Sequence, residues 1–197
     1  MTDNTNDLAD LGHVEGSAHV EGSAHVEGLG DPQATLRVYL ANRPSLEPFT
    51  DPGGILPLAV GDIAQINSHE GNHWRKIFNV YAKFLAELKF PGTEGFSKWQ
   101  DYRDNLMLQP GSNVALIFSQ PDLTTLATDE THLFMGKQFA QDCGFFDTDG
   151  AQWLTKEFAV NSAGWMVCPY FDYRQLSDEK IRFLVSRISM PWQNLPK

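Results

Sequence analysis

The stretch GNHWRKIFNVYAKFLAEL, residues 71–88, predicts the longest helix of the protein. Its large apolar side chains recur every three or four residues over about four turns, which is the spacing of one buried helix face. Asn72 is a suitable N-cap, and Pro91-Gly92 would end the helix. The apolar face that packs on the core is formed by Trp74, Ile77, Phe78, Tyr81, Phe84, Leu85 and Leu88.

Short apolar runs before and after this helix predict buried strands, because they are continuous and end at Pro, Gly or polar residues. Such strands, buried on both faces, are typical of parallel sheets. The four segments are TLRVYLANRP (35–44), SNVALIFS (112–119), the first half of HLFMGKQFAQDCGF (132–145) and AGWMVCPYF (163–171).

Three further segments predict helices that alternate with the strands. They are FSKWQDYRDNLML (96–108), capped by Ser97, the second half of residues 132–145, and LSDEKIRFLVSRI (176–188), capped by Ser177. The alternation favours a three-layer αβα fold with a mainly parallel four-stranded sheet, in a single α/β domain over residues 31–197.

Ligands of such sheets bind beyond the carboxyl ends of the strands. The start of the helix at residue 72 should lie at the same edge, because that helix follows the first strand. The strand ends carry Asn42-Arg43, Ser119-Gln120, Gly136-Lys137 and Pro169-Tyr170.

A repeated tail precedes this domain. Residues 13–30 read HVEGSA HVEGSA HVEGLG, in which Val is the only sizeable apolar residue of the first two units. Such units bury too little surface to offset chain entropy, so residues 1–30 are predicted to be a disordered acidic tail. Metal binding by the repeated histidines is less favoured than a solvated tail, since no fixed geometry is encoded. These histidines are His13, His19 and His25.

Composition restricts the possible partners. The formal net charge is −10, and six acids with no Lys or Arg lie in residues 1–30, so only four of those net charges belong to the remaining chain. A mildly acidic domain argues against strong nonspecific binding to nucleic acid, which depends on Lys and Arg. No run approaches the ~20 apolar residues that cross a bilayer. With no secretory signal and two cysteines, a cytoplasmic protein with reduced thiols is expected, without a cofactor.

The strand-end motifs carry two resemblances. Residues 31–190 resemble a family of small bacterial proteins of unknown function from marine gammaproteobacteria, which implies no activity. Four motifs, in order, also resemble the mismatch-specific branch of the uracil-DNA glycosylase superfamily, over about residues 36–190. These motifs are VYLANRP with Asn42, GNHWRKI with Asn72 and Trp74, LFMGKQFAQDCG with Gly136-Lys137, and MVCPYFDYRQLSDEKI with Pro169.

The second resemblance implies a uracil-DNA-glycosylase-like fold, in which Asn42 orients the attacking water and the last loop reaches DNA near an extruded base. Several residues depart from the pattern of that family. Ala41 replaces the usual Gly, Arg43 interrupts the Asn-Pro step, and Pro169 lacks the preceding Asn and the following Ser-Gly. The order of motifs therefore supports the fold more than the activity.

The candidate site residues each have a structural alternative. The Asn42 amide could orient water or contact a base edge, but Asn is equally suited to a turn before Arg-Pro. His73 and Arg75 could face a phosphate at a helix N-terminus, or form an exposed first turn in which Arg75 pairs with an acid. Asp122 is the carboxylate to test as a general base.

The remaining candidates are aromatic or basic. Tyr170 and Tyr173 could stack a base or simply bury their loop. Arg43, Asn72 and Lys137 complete the predicted ligand-binding set. No metal site is predicted in the domain, since His69 and His73 do not fit the HExxH order.

Three functional hypotheses follow. The first is a domain that binds a nucleobase, a nucleotide or DNA, either as a DNA glycosylase that cleaves an N-glycosidic bond or without cleavage. The second is a non-catalytic binding or interaction protein on the same fold. The third is an enzyme whose small anionic substrate is held by Arg43, His73, Arg75 and Lys137.

Overall fold

The computed structural model describes residues 26–188, which form a mixed sheet with helices on both faces. The strands are β1 (Gly28–Gly30), β2 (Leu36–Tyr39), β3 (Ile55–Leu56), β4 (Val114–Ile117), β5 (Thr131–Met135), β6 (Gln152–Trp153), β7 (Ala159–Val160) and β8 (Met166–Cys168). The helices are α1 (Asp62–Glu70), α2 (Asn72–Leu88), α3 (Trp99–Asn105), α4 (Lys137–Asp142) and α5 (Asp178–Val185), with short 3-10 turns at Thr93–Gly95 and Phe145–Asp147.

The sheet has eight strands within the described residues, in the order β3-β1-β4-β2-β5-β8-β7-β6. Its four central strands, β4, β2, β5 and β8, are parallel and are the four that the sequence predicts. The prediction of a four-stranded, mainly parallel sheet is wrong in extent, because β1, β7 and β6 add antiparallel pairings at the two sides. Strands β3, β6 and β7 are two residues long, too short to give a periodic apolar pattern.

Strand β1 corrects the predicted boundary of the tail, because Gly28–Gly30 lies inside the segment that was expected to be disordered. Leu29 is fully buried. A Cβ added to Gly28 would lie 2.2 Å from Leu116 O, and one added to Gly30 would lie 2.4 Å from Val114 O. The backbone of β1 therefore packs closely on β4, as only glycine allows. The third repeat unit differs from the first two by Leu-Gly in place of Ser-Ala, which supplies the buried side chain and the second glycine.

The rest of the predicted tail, including His13, His19 and His25, lies outside the described residues, as do residues 189–197 of the predicted domain.

Helix α2 is the central element of one sheet face. All the side chains predicted to form its apolar face are buried. Together with residues of α1, α3 and α5, they pack against alternate side chains of the central strands, such as Val38 and Leu116. The opposite sheet face is covered by α4 and the turn after it, where Phe139 and Phe145 pack on Phe134. The helix layers are unequal, and the larger one carries most of the core.

The helix ends differ in detail from the predictions. Gly71, with φ 68°, is the N-cap of α2, so Asn72 begins the helix rather than capping it. Helix α3 begins after Lys98 and has no side-chain cap, so the predicted cap at Ser97 is wrong. Ser177 caps α5 as predicted, accepting a hydrogen bond from the Lys180 backbone N–H.

Helix α1 is an element that the sequence did not predict, because its segment reads as the end of a Pro- and Gly-rich loop. Its buried residues within the helix are Ile63 and Ile66. These two apolar side chains are too few to give a clear helical stripe.

Candidate functional site

The four parallel strands define where a ligand is expected to bind. Strand β2 comes first in the chain but lies between β4 and β5, so the chain passes to one side of β2 and then returns to the other. In doubly wound sheets this change of direction leaves a crevice at the carboxyl ends of the first and third strands. Here that switch point lies beyond Tyr39 of β2 and Met135 of β5.

Three predicted residues meet at this edge, and we call them the edge cluster: Asn42, His73 and Tyr170. The Tyr170 hydroxyl donates a hydrogen bond to Asn42 Oδ1 at 3.1 Å and lies 3.1 Å from His73 Nε2. The rings of His73 and Tyr170 are stacked, with centroids 5.6 Å apart and an interplanar angle of 25°. The cluster therefore joins the segment after β2, the first turn of α2 and the segment after β8.

The hydrogen-bond directions within the edge cluster can be assigned. Because the Tyr170 hydroxyl donates a hydrogen bond to Asn42 Oδ1, its oxygen accepts one from His73, so His73 carries its proton on Nε2. The Asn42 amino group and His73 Nδ1 have no partner among residues 26–188. The cluster thus presents unused hydrogen-bonding groups at the switch point.

The hydroxyl at the centre of the edge cluster stays protonated at neutral pH. Burial raises the pKa of Tyr170 well above its ordinary value. Tyr170 therefore acts here as a neutral donor and acceptor that fixes the orientation of the Asn42 amide.

Gly136 marks the end of the third parallel strand. Its φ of 89° favours glycine, and its backbone N–H donates to Cys168 O at 2.8 Å, which ties the end of β5 to β8. An added Cβ would meet no atom within 4 Å, so the glycine is required by its backbone conformation and not by crowding.

Arg43 is directed away from the edge cluster. Its guanidinium donates to Glu27 Oε2 at 2.9 Å and to Thr50 O at 3.1 Å. Arg43 thus connects the segment after β2 to the residue that precedes β1.

Lys137 lies on the opposite face of the sheet from α2. Its Nζ is 5.0 Å from the centroid of the Trp153 ring, and the two side chains line a cavity of about 400 Å³ with Phe146 and Asp147. Among the described residues, no hydrogen bond, ion pair or ring contact joins Lys137 to Asn42, His73 or Tyr170.

Asp122 uses its carboxylate within its own loop. Oδ1 accepts hydrogen bonds from the Thr124 hydroxyl at 2.7 Å and from the Thr124 backbone N–H at 2.9 Å. These bonds, the hydroxyl first, lower the pKa of Asp122, which makes it a weaker base.

Asn72, Arg75 and Tyr173 belong to a second feature, a groove of about 540 Å³ on the exposed side of α2. We call it the α2 groove. The Arg75 guanidinium donates to the Asn72 side chain, so its partner is an amide and not the acid that was expected. The residues that line the groove are Asn72, Arg75, Lys76, Asn79, Val80, Lys83, Trp99 and Tyr173.

Sequence reasoning missed Lys76, Asn79 and Lys83 as groove residues. They lie on the polar side of α2, and such a side is ordinarily a solvated helix face. Trp99 is predicted to lie in the helix of residues 96–108, with no role in a site. The four come together only because α3 and the segment after β8 flank α2, which no local pattern encodes.

Acidic partners at the edge of the groove hold two of its cations. Lys76 Nζ lies 2.7 Å from Asp172 Oδ2, and Lys83 Nζ lies 3.2 Å from Asp178 Oδ1. The hydrogen bond from Lys76, followed by that from the Arg174 backbone N–H, lowers the pKa of Asp172.

Within residues 26–188 no group of His, Cys, Asp and Glu side chains is arranged to hold a metal ion. None of the helices in this part of the chain has the length and apolar character to cross a membrane.

Comparison with known proteins identifies the family of the chain. A model described as "Family of unknown function (DUF6942)" matches residues 27–189, so the chain belongs to that family. No curated protein and no solved structure gives a significant match. The matched region includes β1 and the whole edge cluster.

Proposed function

We propose that this DUF6942 protein binds a nucleobase or a nucleotide at the edge cluster. The observation that carries the proposal is the Tyr170 hydroxyl, which joins Asn42 and His73 at the switch point of the sheet.

The unused groups of the cluster suit a base. The Asn42 oxygen is engaged by Tyr170, so its amino group faces outward as a donor for a carbonyl oxygen, such as those of uracil and thymine. One face of the His73 ring packs on Tyr170, and the His73 side chain is exposed, so a base could stack against it.

The resemblance to the uracil-DNA glycosylase superfamily supports the same class of ligand. The residues of the strand-end motifs that carry this resemblance, Asn42, Gly136 and Pro169, follow the ends of parallel strands at one edge of the sheet. In a glycosylase-like protein Asn42 would orient a water molecule. However, no carboxylate of the described residues bonds to the edge cluster, and Asp122 is engaged in its own loop, which favours binding without cleavage.

Calorimetric titration and thermal shift with uracil, thymidine and thymidine monophosphate test the proposal. A ligand of the native state raises the apparent stability. We expect binding by the wild type, loss of binding in Asn42→Ala, and unchanged binding in Gln120→Ala, which removes another exposed amide near a strand end. Absence of binding to all three compounds, or equal binding by Asn42→Ala, would refute the proposal.

Incubation with uracil-containing and mismatched oligonucleotides tests cleavage separately. Base release that is lost in Asn42→Ala would identify a glycosylase. Binding without base release would identify a non-catalytic binding protein.

A further inference from the structure

We infer that the α2 groove holds the phosphates and a second base of a short single-stranded nucleic acid. This inference rests on the proposed function, since it extends the ligand from the edge cluster along α2. Asn72 of the groove adjoins His73 of the cluster, and Tyr173 lies in the same segment after β8 as Tyr170. A strand whose terminal base occupied the cluster would therefore continue directly into the groove.

The length of the groove fits more than one phosphate. Asn72, Lys76, Asn79 and Lys83 follow one another at intervals of four, three and four residues, so they form a row along one helix face. At 1.5 Å per residue this row is about 16 Å long. Proteins that bind single strands use such a positive groove to follow the sugar-phosphate backbone.

The charge of the groove is opposite to that of the chain. Arg75, Lys76 and Lys83 line it, and the carboxylates of Asp172 and Asp178 pair with the two lysines at its edge, whereas the chain carries a net charge of −10. Arg75 has a neutral partner, so most of its donors remain available. Lys83 pairs with Asp178, whose side chain is 70% exposed, so a phosphate can replace that partner at little cost.

Aromatic rings lie beside the two lysines of this row. Trp99 lies beside Lys83 and Arg103, whose charged groups are 5.8 and 5.7 Å from its ring centroid. Tyr173 is 56% exposed, and Lys76 Nζ lies 5.2 Å from its centroid. Every base has a face that can stack on such rings, so the groove is expected to bind without strong sequence preference.

Fluorescence anisotropy with a labelled thymidine hexanucleotide tests the inference. Arg75 and Lys83 are the two cations expected to contact phosphates, because Asp172 holds Lys76, and log K should fall against log salt with a slope of about −1.4. Arg75→Gln should reduce the magnitude of this slope by about 0.7 and lower the affinity for the hexanucleotide. Tyr173→Ala should lower that affinity without changing the slope. Lys156→Gln, at an exposed lysine between β6 and β7, is the matched control and should change neither quantity.

Thymidine and thymidine monophosphate provide the second arm of the experiment. Arg75→Gln should leave thymidine affinity unchanged, because the nucleoside has no phosphate. A hexanucleotide that binds no more tightly than the monophosphate would overturn the inference, as would equal affinity for a hexaglutamate peptide. Hexanucleotide binding that depends on Arg75 but not on Asn42, without thymidine binding, would support the groove and refute only the proposed function. Circular dichroism verifies that each variant is folded.

Discussion

Two tyrosine–histidine pairs of this protein have similar geometry in different surroundings. Tyr39 Oη lies 2.9 Å from His132 Nδ1, with ring centroids 5.8 Å apart and an angle of 27°. In the edge cluster the corresponding oxygen–nitrogen distance is 3.1 Å, and the stacked rings are 5.6 Å apart. The first pair is almost completely buried in the sheet, whereas the second lies at its carboxyl edge.

The core pair uses its polar groups internally. His132 Nε2 lies 2.9 Å from the Ala127 carbonyl, which can only accept, so Nε2 carries the proton and Nδ1 accepts from the Tyr39 hydroxyl. Burial lowers the pKa of His132 and raises that of Tyr39, so both stay neutral. The pair stabilises the fold and leaves no group for a ligand.

The edge pair has the opposite hydrogen-bond direction. There the histidine donates a hydrogen bond to the tyrosine, whose hydroxyl in turn donates one to Asn42 Oδ1, and the amino group of Asn42 has no partner among the described residues. The same two residue types therefore use all their hydrogen-bonding groups internally when their partners surround them, and leave some of these groups unused when one side is open.

The largest effect should be on stability, and it should differ between the pairs. Tyr39→Phe leaves His132 Nδ1 buried without a donor, which costs about 1–3 kcal/mol. Tyr170→Phe removes a hydroxyl at the half-exposed edge and should change the free energy of unfolding by less than about 0.5 kcal/mol. Urea denaturation of both variants measures the two values. Equal losses would mean that the edge pair is also structural.

The second effect is on ligand affinity, where Tyr170→Phe should have the larger effect and Tyr39→Phe the smaller. Tyr170→Phe frees the Asn42 amide to rotate, so affinity for thymidine should fall about tenfold, or ~1.4 kcal/mol. Tyr39→Phe should leave the affinity unchanged at a temperature where the variant is folded. Calorimetric titration gives both constants. A loss in Tyr39→Phe equal to that in Tyr170→Phe would remove the distinction between the pairs.

The third effect is the pH dependence of stability. The pKa of His132 is lower in the folded protein than the value of about 6.5 in the unfolded chain, so on acidification the unfolded state binds this proton first. The contribution of His132 to the free energy of unfolding is fully present above about pH 6.5. As the pH falls below that value, the contribution decreases by at most about 1.4 kcal/mol per pH unit until the pH passes the folded pKa. Urea denaturation between pH 7.5 and 5.5 measures this slope. His132→Phe should flatten it, and a slope that this substitution leaves unchanged would contradict the assignment.

The parts of the fold that could be predicted from the sequence are those in which buried residues form a continuous or periodic apolar pattern. The central strands are buried runs, and α2 has a complete apolar stripe, so both were found. Strand β1 could not be found, because two of its three residues are glycine and its order depends on close packing against β4. Strand β6 is exposed and two residues long, so it gives no alternating or continuous apolar pattern.

The sequence predicts each member of the edge cluster as a candidate, but it does not indicate which candidates lie together. Asn42, His73 and Tyr170 were all named from strand and helix ends, and they meet because parallel strands share one edge. Lys137 follows a strand in the same way, yet its side chain lies on the other face beside Trp153. The position of a residue along the chain identifies the edge of the sheet but not the face to which a side chain turns.

The smallest effect should come from Lys137, and it completes the comparison. Lys137→Ala removes a strand-end cation that contacts Trp153 and no member of the edge cluster, so thymidine affinity should stay within about twofold. His73→Ala changes an exposed residue in the first turn of α2, on the other face of the sheet. It should lower thymidine affinity, because it removes the ring that stacks on Tyr170. Parallel calorimetric titrations compare the two variants. If Lys137→Ala lowered thymidine affinity as much as His73→Ala, the ligand would have to reach both faces of the sheet. The binding site would then extend past the end of β5 and would not be confined to the edge cluster.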